Sequence, residues 1–114
     1  FRKFDDEKGA QGDKLIFSLK NRESAIEFEK RLNDFGYSTK ILPEAMEWHF
    51  AGSWGHLLDR YEKYKNINLE SKYKFTGDLL RRSICLNILV KYSEKDCKDL
   101  AEVIEKIYQQ MGLG

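Results

Sequence analysis

Ser83-Ile84-Cys85-Leu86-Asn87-Ile88-Leu89-Val90-Lys91-Tyr92 (83–92) is the longest strand signal in this chain of 114 residues. Ile84, Leu86, Ile88 and Val90 fall on one face of a two-residue period, and Cys85, Asn87 and Leu89 on the other. Downstream, Ser93-Glu94-Lys95-Asp96 has the form of an acidic capping box. Leu100, Ile104, Ile107 and Met111 then recur at helical spacing before Gly112. A strand feeding a capped C-terminal helix is therefore predicted. Upstream, Asp78-Leu79-Leu80-Arg81-Arg82 leads into the strand.

The first half of the chain repeats this alternation of short strand and amphipathic helix. Leu15, Phe17 and Leu19 alternate with Ile16 and Ser18 between Gly12-Asp13 and Asn21, which predicts a strand over 14–19. Asn21 is placed to cap a helix whose apolar face is Ala25, Phe28, Leu32 and Phe35. Gly36 stands where a left-handed C-terminal cap belongs. A second short strand over 37–42 ends at Pro43, which cannot continue a ladder. Residues 65–74 are polar around Ile67 and Leu69 and read as a loop.

Three strands and two well-defined helices in this order predict an α+β domain, a small three-stranded sheet with helices packed on one face. Ile16 and Leu89 hint that something covers the second face. No internal repeat or second-domain linker interrupts residues 1–114, so they form one domain. The glycine-containing lead-in of 1–13 has no periodicity and begins at Phe1, as the middle of a longer polypeptide would.

With 41% hydrophobic and 34% charged residues the chain is globular. Lys plus Arg number 20 against 19 Asp plus Glu, so the net charge of +1 creates no field to draw nucleic acid or a lipid surface. No apolar run reaches the roughly 18–20 residues of a membrane helix, and no signal peptide is visible, so a soluble, cytoplasmic protein is expected. Cys85 and Cys97 lie outside any zinc-type spacing and read as free, buried thiols of a reducing compartment.

The stretch Glu47-Trp48-His49-Phe50-Ala51-Gly52-Ser53-Trp54-Gly55-His56-Leu57-Leu58-Asp59-Arg60 holds both tryptophans and both histidines. As a helix it would turn Phe50, Trp54, Leu57 and Tyr61 inward. His49, Ser53, His56 and Arg60 would form a second row, suited to an anionic, hydroxyl-rich ligand. Gly52 and Gly55 each cost about 1 kcal/mol inside a helix, and so point to a break or a close apposition. The competing reading is a surface helix with tryptophans in the core and solvated histidines.

A self-sufficient active site is not visible. His49 and His56 on a straight helix stand about 10.5 Å apart at roughly 1.5 Å per residue, too far to share one metal. No phosphate loop, nucleophile elbow, H-E-x-x-H or dinucleotide glycine pattern is present. Arg81 and Arg82 precede the long strand, where a guanidinium fork suits a carboxylate or phosphate, or where both are simply solvated. Tyr61, Tyr64 and Tyr73 could stack on a sugar, or pack through the ring with wet hydroxyls.

An ordered set of motifs carries a resemblance over nearly the whole chain. It comprises Phe-Arg-Lys-Phe-Asp-Asp-Glu-Lys-Gly (1–9), Trp48-His49 with Trp54 and His56-Leu57-Leu58, and Asp78-Leu79-Leu80-Arg81-Arg82-Ser83-Ile84 before a strand and a Ser-x-x-Asp-capped helix. Together these resemble the C-terminal small domain of DegT/DnrJ/StrS-type sugar aminotransferases, closest to the group acting on an amino-dideoxy-octulosonate sugar. The resemblance implies an aspartate-aminotransferase-like fold and a pyridoxal-phosphate-dependent homodimer. It implies transfer of an amino group from an amino acid, with glutamate the expected donor, to a keto or aldehyde sugar. The cofactor lysine and most cofactor contacts belong to such an enzyme's own N-terminal large domain, and no lysine here matches a cofactor-lysine motif. The chain would be inactive alone and would supply a pocket wall, with Trp48, His49 and His56 nearest the sugar and Arg82 on its carboxylate. Asn87 stands where many relatives have proline, and most of the wider family lacks the Trp/His segment.

Two other classes compete. A non-enzymatic ligand-binding or regulatory α+β module fits the missing catalytic machinery. A single-stranded RNA platform would need a glycine-aromatic run and more basic charge than this chain carries.

Overall fold

A computed structural model describes residues 1, 5–6, 8–9, 11–41 and 50–113. Strand β1 (Lys14–Ser18) is followed by helix α1 (Arg22–Asp34) and strand β2 (Thr39–Lys40). Three helices, α2 (Gly55–Leu58), α3 (Leu69–Lys72) and α4 (Lys74–Arg81), lead into strand β3 (Ser83–Asn87). The long helix α5 (Glu94–Gln110) follows. β3 lies between β1 and β2 and runs antiparallel to both, with Phe17 opposite Ile84 and both Leu15 and Thr39 opposite Leu86. β1 and β2 are therefore parallel to each other, a β-α-β unit split by a strand from the far end of the chain.

The sheet's core face carries Phe17, Ile84 and Leu86, and packs on Ala25, Phe28 and Leu32 of α1 and on Leu100 and Ile107 of α5. Phe17 meets Phe28 edge to face with ring centroids 5.6 Å apart. Both long helices cover this one face, as expected. The opposite face is bordered by the chain itself: Leu79 and Leu80 of α4 line a cleft with Ile16 and Cys85.

Local signals set the helix ends. Asn21 Oδ1 accepts from Ser24 N at 2.8 Å to start α1. Beyond its last turn Tyr37 N–H reaches Leu32 O at 2.9 Å and Gly36 N–H reaches Asn33 O at 2.8 Å. That closure needs the left-handed φ of 88° at Gly36. At α5, Ser93 Oγ accepts from Asp96 N, and Asp96 Oδ2 accepts from Ser93 N at 2.7 Å.

Four expectations are corrected. The strand over 83–92 stops at Asn87, opposite Lys14 where β1 begins; one further bond, Ile88 N to Asp13 O at 2.9 Å, follows before Val90 lies wholly exposed in a turn. The second strand shortens to Thr39–Lys40, and Leu42 and Pro43 lie outside the described residues. The expected loop over 65–74 instead holds α3, started by Asn68 Oδ1 accepting from Ser71 N at 2.9 Å, and the first residue of α4. The thiols are not buried either: Cys85 is half-buried, and Cys97 is exposed on α5. Among the described residues no helix is long and apolar enough to cross a membrane.

Ser93→Ala is expected to cost about 1 kcal/mol, read as a lower urea midpoint at unchanged slope. The Ser93 hydroxyl and backbone N–H donate to Asp96 and hold its carboxyl below the usual range. A depressed carboxyl adds stability above its unfolded pKa and loses it as pH falls through the folded one. The urea midpoint of Asp96→Asn should therefore fall less than that of the parent chain when pH is lowered from 6 to about 3.

Candidate functional site

The segment expected as one helix is broken. A 3-10 turn at Ala51–Ser53 leads into the single turn α2, and a second 3-10 turn spans Glu62–Tyr64. Phe50 is 3% exposed and Trp54 half-buried, but Leu57 and Tyr61 are 47% and 58% exposed, so the inward stripe ends after two members. The second row does not form as one helical face either, since Ser53, His56 and Arg60 sit in a 3-10 turn, in α2 and in a turn beyond it. Trp48 and His49 lie outside the described residues.

Phe50 accounts for the break. Its ring lies so close to Gly52 that a Cβ there would overlap it, and a Cβ on Gly77 of α4 would meet its Cζ at 3.0 Å. The ring is clamped between two glycines, and a continuous helix through Gly52 would lose that seat. Over the ring stands the Arg81 guanidinium, 5.9 Å from its centroid, whose Nη2 also donates to Glu70 Oε1 of α3 at 2.8 Å. One aromatic ring thus ties the 51–58 segment to α4, while the 51–53 turn also packs directly on α3, whose Leu69 is buried. The break and the close apposition that the glycines pointed to are both present at Gly52, while the part played by Gly77 is new. A phenylalanine two residues before a glycine, with another glycine inside a later helix, was the available signal.

His56 is exposed on α2, and Tyr61 presents its ring to solvent, edge to face with Tyr64 at 6.4 Å. Tyr64 and Tyr73 are half-buried beneath the ammonium groups of Lys63 and Lys72. Arg82 is half-buried just before β3: its Nη1 donates to Leu19 O at 2.6 Å, and its own carbonyl accepts from Leu19 N at 2.8 Å. Its guanidinium is fixed at the carboxyl end of β1 and is not a freely solvated charge.

Among the described residues, none of the clefts below brings these side chains together. Neither His56 nor Arg82 lines the clefts beside β1, at the start of α1 or between α3 and α4. The largest of these, about 660 Å³ and chiefly apolar, opens between β1 and α5 over Leu15, Phe17, Phe28, Leu100 and Ile104. Among the described residues no group of three or more His, Cys, Asp or Glu side chains is arranged to hold a metal ion. Comparison with protein-family models, with curated proteins and with solved structures finds no match.

Phe50→Ala should cost about 3 kcal/mol in urea denaturation and expose residues 51–64 to limited proteolysis. Gly52→Ala should act in the same direction by about 1–3 kcal/mol, because the added methyl displaces the ring.

Proposed function

We propose that the chain is the C-terminal small domain of a pyridoxal-phosphate-dependent sugar aminotransferase of the DegT/DnrJ/StrS type, with the aspartate-aminotransferase-like fold. In that reading it works in the cytoplasm as part of a homodimer. Its own large domain grips the cofactor, and an amino group passes from an amino acid, glutamate being the expected donor, to a keto or aldehyde sugar. The ordered motif set supports this reading. The observation that carries it is the seating of the Trp/His segment: Phe50 locks the segment to α4, yet His56 stays exposed on it. An imidazole on an anchored surface turn is placed to meet a ligand from outside the domain.

The described residues do not fit the cofactor itself. Every described lysine is exposed, and Lys95 is pushed further toward its charged form by its hydrogen bond to Asp99. An imine-forming lysine needs the opposite, a desolvated amine held close to neutral. The cofactor supplies the electron sink for amino transfer. This chain's residues would orient the sugar: His56 and Tyr61 at its hydroxyls and ring, Arg82 at its carboxylate, with Trp48 and His49 assigned to the same wall.

A second reading, a ligand-binding or regulatory module without chemistry of its own, is favoured by the apolar cavity beside β1. A shift in tryptophan fluorescence on adding an amino acid or nucleotide to the 114-residue chain would support it.

The aminotransferase reading expects that a polypeptide joining this domain to its large domain absorbs near the visible edge and loses that band with hydroxylamine. In that polypeptide His56→Ala should lower kcat/KM for the sugar about tenfold or more at unchanged Tm. A chain without the band, or equal melting losses without a kinetic change, would sink the proposed role.

A further inference from the structure

β1 is bonded along only one of its edges among the described residues. Leu19 N donates to Arg82 O at 2.8 Å, and Ile88 N to Asp13 O at 2.9 Å, which fixes the phase of the antiparallel ladder. By its alternation the backbone groups of residues 13, 15, 17 and 19 face β3, and those of Lys14, Ile16 and Ser18 face away from the sheet. This outer edge lacks the usual protection. It has no proline, and the single charge on it, the Lys14 ammonium, is turned onto Asn87 Oδ1. Clefts flank the edge on both faces. The cavity of about 660 Å³ lies beside Leu15 and Phe17, and one of about 340 Å³ lies beside Ile16 and Ser18. Phe1, 82% exposed, borders both and bonds to neither outer rung among the described residues.

We propose that two copies of this chain pair antiparallel along their β1 edges, Ile16 opposite its counterpart, to make one continuous sheet. The strand is self-complementary about Ile16. In that register Lys14 stands opposite Ser18 of the partner subunit, and every outward N–H of Lys14, Ile16 and Ser18 meets an outward carbonyl. A shift of two residues leaves rungs unpaired. A shift of one sets outward groups against groups already bonded to β3. The same register places Leu15 beside the partner's Phe17 over the larger cavity, and one isoleucine beside the other over the smaller. The edge therefore asks for an extended segment with apolar residues on alternating faces, and β1 itself is such a segment. This inference does not rest on the aminotransferase reading. With so short a ladder the dimer belongs to the small, weak class of interfaces.

The test is sedimentation equilibrium of the 114-residue chain from about 10 µM to about 1 mM, with amide exchange followed by NMR over the same range. The expected result is a shift from monomer to dimer, with the Lys14, Ile16 and Ser18 amides slowing at least about tenfold while those of Leu15 and Phe17 are slow throughout. Ile16→Lys should stay monomeric with an unchanged circular dichroism spectrum, and Phe1→Ser should still dimerise. A chain that remains monomeric to about 1 mM overturns the proposal, as does a dimer that leaves those three outward amides unprotected. The exchange measurement on the parent chain decides the matter even if Ile16→Lys fails to fold.

Discussion

The insertion of β3 between β1 and β2 is the constraint on which the architecture depends. β1 and β2 are parallel, and neither touches the other, so each has a neighbour only when β3 arrives from more than forty residues further on. The Phe17–Ile84 rung closes a loop that includes α1 through α4. Such a closure costs entropy before any contact offsets it. The offset is the burial that β3 completes, since Ile84 and Leu86 are essentially inaccessible and each such side chain contributes about 1.5–3 kcal/mol. Without β3, the core shared by α1 and α5 would lose Ile84 and Leu86 from its sheet side. The helices are capped locally, but their positions are set by this non-local pairing.

A smaller closure governs the segment between β2 and β3. Residues 50–64 contain only short turns of helix, too brief to be stable alone. Part of what holds the start of the segment is the Phe50 ring between Gly52 and Gly77, covered by the Arg81 guanidinium, which also donates a hydrogen bond to Glu70. A polar segment lying on a small domain is thus held by the Phe50 ring and by the packing of its 51–53 turn on α3. Its charged and imidazole side chains need not be buried to be placed.

The parts legible in the sequence are those in which cap, period and stop signal agree within one short window. The α1 window of Asn21, Ala25, Phe28, Leu32 and Gly36, and the α5 window opened by Ser93 and Asp96, are read without reference to any other part of the chain. Where reading failed, the deciding fact was distant. The strand after Ser83 ended as its partner ran out, one backbone bond past Asn87 at Asp13, and not because Ile88, Leu89 and Val90 disfavour extension. In the Trp/His segment Gly52 and Gly55 pointed to a break or a close apposition, but the seat of Phe50 on Gly77, twenty-seven positions away, was not legible. α3 was missed because a one-turn helix behind Asn68 is too short to show a period. Of the candidate site, the exposure of His56 and the placement of Arg82 before β3 were legible. The guanidinium's fixed partner was not.

That partner changes what Arg82 is. A solvated arginine at a strand end would contribute charge and little else. Here the residue is bonded twice to Leu19, through its carbonyl and through Nη1, so the backbone just past β1 and the guanidinium are held as one unit. A guanidinium carries five N–H donors in a rigid plane, and fixing one leaves the remaining donors with a defined direction. A lysine could reach the Leu19 carbonyl, but its rotatable ammonium would fix no direction for a second acceptor. The geometry therefore makes Arg82 a brace that joins the entry of β3 to the backbone just past the carboxyl end of β1.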